Sequence, residues 1–297
     1  ILYLPTYRRI EQELGLIFKD LDEDKLRSRD RRHYLNSRNK ASNYLELIEF
    51  GMKDVDSAIR STLEELKDFA RENLNKLTLG YLSDVVDQKY TQVDVTQIQK
   101  ASKETIKNVL DRIDEKILSE LSKSHLSETI SSVRTGTTLD DHAKVICHYF
   151  IKLLNFQQEL EKKESKIREF CRICNKYLAS SNKEFEYFSS SFNFLISANT
   201  PGKERRKIDI HNLSSGEKQI VSLFSHLYLS EKRKYFVMID EPELSLSVPW
   251  QRLFLADIHD SEFCAGMLAV THSPFIYDNS LKTYTHGLGE FMQMEKI

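Results

Sequence analysis

The chain has 297 residues, a formal net charge of −2 and 30% charged residues, so no global nucleic-acid-binding signature is present and only local contact with nucleic acid stays open. Four cysteines form no secreted disulfide framework, and neither a signal peptide nor an apolar run of ~18 or more residues is found. The expectation is a cytoplasmic chain of one or two domains with a sizeable core and no membrane span.

The chain opens ILYLPTYRRIEQEL, apolar from Ile1, and reads as an interior strand. Arg8 and Arg9 begin a surface helix or reach for phosphate or nucleic acid. Lys25–Arg32 (KLRSRDRR) is basic without apolar periodicity and reads as a solvated loop, with nucleic-acid contact as the alternative. Asn39–Asn43 show no clear element. From Asp54 a helix is expected, because Val55, Ile59, Leu63, Leu66, Ala70 and Leu74 keep spacings of three and four. Asn73–Asp87 continues apolar but irregular, and Tyr90–Val95 (YTQVDV) suits a short extended piece.

Val95–Asn182 reads as a helical insertion. Leu110, Ile113, Ile117 and Leu121 make one amphipathic face, and a polar Ser/Thr-rich break follows at Ser122–Asp141. Then Ile146, Tyr149, Leu153, Phe156, Leu160, Ile167, Phe170, Cys174 and Tyr177 form a heptad seam broken at Lys163. The pair is expected to make an antiparallel helical hairpin; a plain helical subdomain is the alternative. Cys171 and Cys174 form a single CxxC, and zinc would need the distant Cys147 or His148, so a zinc site is not expected. The partition expected is 1–94 for the first part of an α/β domain, 95–182 for the insertion and 183–297 for the closing lobe.

The closing lobe carries the chemistry. Phe192–Ser197 (FNFLIS) reads as a strand, Thr200–Lys207 (TPGKERRK) as a basic turn and Ile208–Ile210 as a short strand. In LSSGEKQ, Leu213–Gln219, the serines can cap a helix and Gly216 admits close backbone approach. The helix that follows carries Ile220, Val221, Leu223, Phe224, Leu227 and Leu229, and its start is an anion site or an ordinary cap. Tyr235–Ile239 is a continuous apolar run, suited to a strand buried on both faces of a parallel sheet. It delivers Asp240 and Glu241 to the strand's carboxyl end, where such sheets hold their chemistry. There Asp240 suits Mg²⁺ and Glu241 suits polarising an attacking water; the alternative is a core strand ending in two solvated acids. Pro242 stops the strand. A helix over Pro249–His259, with Trp250, Leu253, Phe254 and Ile258 inward, leads to a second apolar run, Met267–Val270. That run ends at Thr271 and His272, where a histidine can sense a terminal phosphate or be structural. A short strand at Thr283–Thr285 and a final piece around Phe291 follow.

These stretches together resemble the ABC-type AAA ATPases of the SMC-like and OLD-like group, an α/β parallel-sheet P-loop head with an inserted helical arm. Leu213–Gln219 is similar to the ABC signature, Tyr235–Glu241 to Walker B with its catalytic glutamate, Ser245–Ser247 to the D-loop and His272 to the switch histidine. The resemblance implies ATP and Mg²⁺ as cofactors and two heads clamping nucleotide between them. It implies Ser214, Ser215, Gly216, Glu217 and Ser247 as nucleotide-side residues, Asp240 for the metal, Glu241 as base and His272 as γ-phosphate sensor. Transporter-type D-loops carry an acid where this chain has Ser247, so cross-dimer signalling is expected to differ. No glycine has the context of a phosphate loop, G-x-x-x-x-G-K-[ST], so an upstream segment is expected to supply it.

A finer resemblance rests on YLPTYRRIE (Tyr3–Glu11), LNKLTLGYL (Leu74–Leu82), LSSGEKQIVSLFSHLYL (Leu213–Leu229) and MIDEPELSLSVPWQ (Met238–Gln251). These are similar to the PtuA family of ATPases in Septu-type anti-phage systems, including retron-attached ones. The resemblance implies a multimeric scaffold, an HNH nuclease partner of PtuB type and, in retron versions, a reverse transcriptase with its RNA–DNA product. OLD-family proteins carry a nuclease after the head; the short tail here gives no room for one, so if this ATPase serves a nuclease, that nuclease is expected on another polypeptide. Two other readings stand beside a nuclease-controlling ATPase: an SMC-like DNA-repair ATPase acting on DNA ends, and a scaffold with structural ATP.

Overall fold

The computed structural model describes residues 2–4, 45–46, 52–111, 119–134, 139–199, 202, 204–230 and 234–291. Arg8, Arg9, Lys25–Arg32, Asn39–Asn43, Ile113 and Ile117 lie outside the described residues. The chain divides into two compact units. The first draws on the chain up to Ala58, on Arg172–Glu184 and on Ile196 onward; the second on Ile59–Cys171 and Phe185–Leu195. The second unit thus begins inside the segment expected to end at 94.

The first unit is built on a four-stranded parallel sheet of order β2-β1-β6-β7. Its strands are β1 (Leu2–Leu4), β2 (Leu45–Glu46), β6 (Tyr235–Asp240) and β7 (Cys264–Val270). The apolar opening of the chain is therefore an interior strand, with Leu2 opposite Val237 and Leu4 opposite Ile239. Parallel neighbours need a crossover, and α7 (Val248–His259) provides the one from β6 to β7. On α7 the buried residues are Trp250, Phe254, Leu255 and Ile258, whereas the expected Leu253 is only half-buried.

Helix α6 (Ser215–Leu229) is the core of this unit. Ile220, Val221, Phe224 and Leu227 are buried as expected, and so are Ser225, His226 and Tyr228, which makes the helix enclosed nearly all round. The Phe224 ring meets Tyr177 at 5.8 Å and Phe254 at 6.5 Å between centroids. The expectation that β6 is buried on both faces needs correction. Tyr235, Val237 and Ile239 are buried, but Phe236 is 45% exposed. A continuous apolar run does not say how many faces are covered, and here the strand keeps the alternation of a one-sided sheet. Gly266 makes room for that phenylalanine: a Cβ there would lie 2.9 Å from the ring.

The second unit is helical. Its long members are α1 (Met52–Val86, 35 residues) and α5 (Asp141–Leu178, 38 residues), the latter passing into the first unit from Arg172. They run antiparallel, since Phe69 stacks on Phe156 at 6.3 Å while the later Tyr81 meets the earlier Tyr149 at 5.1 Å. Near the end of α1, buried Asp84 accepts from Lys89 Nζ at 3.1 Å and from Lys152 Nζ, with His148 Nε2 at 3.1 Å. These partners hold its carboxyl far below the ordinary range.

Helices α1 and α5 therefore form an antiparallel pair; most of the expected first arm, Leu110–Leu121, lies outside the described residues, and Leu110 packs in one cluster with Phe150 and Leu154 of α5. Asn73–Asp87, read as irregular, is continuous helix to Val86, although the stripe of the first half is spent by Leu74, which is exposed. Between the long helices lie α2 (Thr96–Lys100), α3 (Lys103–Asp111) and α4 (Glu120–Arg134). Helix α4 occupies most of the stretch read as a polar break. Its serines and threonines lower helix propensity, yet Leu126, Ile130 and Val133 pack toward Phe150 and Leu154 and override it. Leu121, expected inward, is 71% exposed. Tyr90–Val95 is a 3₁₀ turn over Lys89–Gln92 rather than an extended piece.

Four further short elements differ from expectation. A strand β3 (Lys183–Phe188) precedes β4 (Asn193–Ala198), where only the latter was foreseen. Strand β5 is Arg206–Lys207, antiparallel to β4, and Ile210–Asn212 is a 3₁₀ turn capped by Asp209. Lys282–Tyr284 is likewise a 3₁₀ turn and not a strand. Among the described residues, no helix is long and apolar enough to cross a membrane.

Candidate functional site

The site is assembled on the carboxyl ends of β6 and β7 and on the start of α6. Asp240 closes β6 opposite Val270 of β7, and the Glu241 N–H donates to the Val270 carbonyl at 2.8 Å. This extra rung places Asp240 and Glu241 beside Thr271 and His272. Both acids are half-buried. Glu241 has φ 46, a left-handed conformation that a non-glycine residue seldom takes. The chain turns sharply there, with the Leu244 N–H donating to the Glu241 carbonyl at 3.2 Å.

The expected switch histidine sits on a loop that Glu243 holds. Thr271 Oγ1 donates to Glu243 Oε2 at 2.5 Å, and the His272 backbone N–H donates to Glu243 Oε1 at 2.9 Å. The His272 side chain is exposed at the strand end. Ser273 Oγ in turn donates to Gln251 Oε1 at 2.6 Å. Sequence reasoning named neither Glu243 nor Gln251. The first had a signal, a second acid shortly after Glu241; the second had none, because its partner Ser273 lies 22 residues away along the chain.

The signature-like stretch makes a capping box. Ser214 is the N-cap of α6, its Oγ accepting from the Glu217 N–H at 3.4 Å while Glu217 Oε2 accepts from the Ser214 N–H at 2.6 Å. Glu217 is 1% exposed, and its carboxylate also accepts from Lys183 Nζ at 2.7 and 2.9 Å and from Ser181 Oγ at 2.5 Å. Burial pushes this carboxyl up, but Lys183, Ser181 and the Ser214 N–H outweigh it and hold the group below its ordinary value. Glu217 thus anchors the start of α6 from inside. Ser214 and Ser215 remain exposed, with the first N–H groups of the helix beside them.

Gly216 joins this helix start to the 245–247 loop. A Cβ on Gly216 would lie 2.5 Å from the Ser245 carbonyl oxygen, so only glycine fits. Ser245 is itself left-handed, with φ 65. Ser247 caps α7 with its backbone and leaves its hydroxyl unused for capping on an exposed position. The eight site residues therefore fall into two groups that the loop after β6 connects: Asp240, Glu241 and His272 at the sheet, and Ser214, Ser215, Gly216 and Glu217 at α6, with Ser247 on the connecting loop.

The donor set suits nucleotide and metal. Half-buried carboxylates at a parallel sheet's carboxyl edge are oxygen ligands of the kind Mg²⁺ takes. Exposed hydroxyls and N–H groups at the start of a long helix suit phosphate oxygens.

Solved structures similar to this chain include the Smc head domain of Pyrococcus furiosus with an extended coiled coil, bound to the C-terminal domain of ScpA. Sequence identity is 19% and the TM-score 0.27, with 76% of this chain and 49% of that chain covered. The chain thus spans about half the length of that relative. No curated protein matches. The family model described as AAA ATPase domain matches residues 8–277, nearly the whole length. The chain therefore belongs to the AAA ATPase domain family.

Proposed function

We propose that this chain is an ABC-type ATPase of the SMC-like group, which binds and hydrolyses Mg²⁺-ATP through pairing of two heads. The observation that carries the reading is the rung from Glu241 to Val270, which sets an acid pair and a histidine loop side by side at the carboxyl edge of a parallel sheet. In this reading Asp240 would hold Mg²⁺, Glu241 takes the proton of the attacking water and His272 reads the terminal phosphate. Mg²⁺ supplies charge neutralisation on the phosphates when bound. Ser214, Ser215 and the N–H of Gly216 meet the nucleotide of the facing head, with Ser247 beside that junction.

The four stretches similar to the PtuA family support a finer assignment. We infer a subunit of a bacterial anti-phage complex that governs a separate HNH nuclease of PtuB type, with a reverse transcriptase and its RNA–DNA product as further partners where a retron is attached. Two experiments test these levels. In the full-length protein, Ser214→Arg should abolish ATP-dependent dimers; their persistence would count against a trans role for the helix start. Co-expressed with a PtuB-type nuclease, the protein should co-elute with it, and independent elution would remove the finer assignment.

A further inference from the structure

The hydrogen bonds of the site close into a ring. From Glu243 it passes through Thr271 and His272 to Ser273, whose N–H donates to Thr271 Oγ1 at 3.0 Å. Ser273 Oγ donates to Gln251 Oε1, and Gln251 Nε2 donates to the Leu246 carbonyl at 2.9 Å. The Leu246 N–H returns to the Glu243 carbonyl at 3.0 Å. Within this ring sits Ser245, in its left-handed conformation and against Gly216. The start of α6 therefore touches the same short loop whose next carbonyl Gln251 holds, and Gln251 also holds the histidine loop.

A primary amide is one of the few side chains that can do both at once, donating to a carbonyl while accepting from a hydroxyl. A carboxylate in its place would repel the Leu246 oxygen, and an apolar chain would leave both partners unmet. We propose that Gln251, with Ser273, is a positioning residue that couples the 245–247 loop and the start of α6 to His272. What contacts Ser214 and Ser215 is thereby passed to the histidine. Glu243 fixes the other edge of the same loop through Thr271 and the His272 N–H. The proposal rests on the reading of Glu241 and His272 as the hydrolytic pair.

The test is a double-mutant cycle in the full-length protein with ATP as substrate. Gln251→Met, close in shape, removes both hydrogen bonds of the amide and should lower kcat at least roughly tenfold. KM for ATP should stay within about twofold and Tm within about 2 °C, a split that a merely structural role would not give. Ser273→Ala should lower kcat in the same direction, and the double variant should be no slower than Gln251→Met, which already removes the Ser273–Gln251 bond. The proposal is overturned if both singles keep kcat within about twofold of wild type, or if the double multiplies their effects. Should Gln251→Met not fold, Ser273→Ala carries the test with the same outcomes. Glu241→Gln in the same assay separates the two claims. Loss of turnover there with wild-type kcat at Gln251 and Ser273 refutes the coupling alone; wild-type turnover there refutes the underlying reading and the coupling with it.

Discussion

Replacing Gly216 by alanine adds one methyl group at the junction of α6 and the 245–247 loop. The new carbon would lie 2.5 Å from the Ser245 carbonyl oxygen and 3.4 Å from Trp250 Cζ3. An ordinary carbon–oxygen contact begins near ~3.3 Å, so the carbonyl or the helix start must retreat by about 0.8 Å. Neither is free to do so. Ser245 is already at φ 65, the next carbonyl is held by Gln251, and the cap behind Gly216 is locked by Glu217 and Lys183. Overpacking of this kind costs about 1–3 kcal/mol, against up to about 1 kcal/mol gained from alanine's better helix propensity. The net, about 1–2 kcal/mol of destabilisation, lowers Tm by about 2–4 °C for a chain of this size. Turnover should fall much further, by about a hundredfold, since a shift near 1 Å displaces groups that must meet phosphate. Calorimetry and steady-state ATP hydrolysis on the full-length protein read both. A Gly216→Ala protein that melts at or above wild type and hydrolyses ATP at the wild-type rate would refute the close approach.

Glu217→Gln leaves Lys183 without its buried partner while keeping the side chain's size; the urea midpoint should fall by the equivalent of about 2–3 kcal/mol, and an unchanged midpoint would show that the pair does not anchor α6. His226 is buried, and burial lowers its pKa from 6.5 to about 4. The unfolded chain then binds the proton first on acidification, so this group's contribution is complete above about pH 6.5 and is lost toward pH 4, by about 3 kcal/mol at most. Urea titrations from pH 7.5 to 4.5 should show a weaker pH dependence in His226→Gln than in wild type; parallel curves would contradict the assignment. Burial pushes the Cys171 thiol up to about 12, so at pH 8 iodoacetamide should modify it only after urea unfolding, as read by peptide mass spectrometry. Rapid labelling of the native protein at that position would sink the prediction.

Local chemistry made much of this fold legible. The run Tyr235–Ile239 gave the strand and its acids, Ser214 and Glu217 gave the cap, and Met267–Val270 gave the neighbouring strand, because each signal lies within a few residues. The α5 seam was legible for the same reason over many turns. Its pairing with α1 was not legible, because α1 continues past the point where its stripe becomes exposed, and α4, rich in serine and threonine, hides three packed apolar residues. Strand β3 was overlooked although Glu184, Phe185, Glu186 and Tyr187 alternate polar and aromatic at the period of a strand, with Phe185 the position it buries. At the site, the residues with chemistry could be named, but those that place them could not. Glu243 and Gln251 act through partners on the far side of a βαβ crossover, and spacing carries no record of that.

The central claim is that Asp240 and Glu241 form the hydrolytic edge of an ATPase head. The most direct measurement is single-turnover hydrolysis of ATP by the full-length protein and its Glu241→Gln variant, with nucleotide binding measured alongside. The account predicts that the variant binds ATP as wild type does, hydrolyses it at least a hundredfold more slowly, of order 3 kcal/mol on the barrier, and accumulates as an ATP-bound dimer. Equal hydrolysis rates in the two proteins would contradict it.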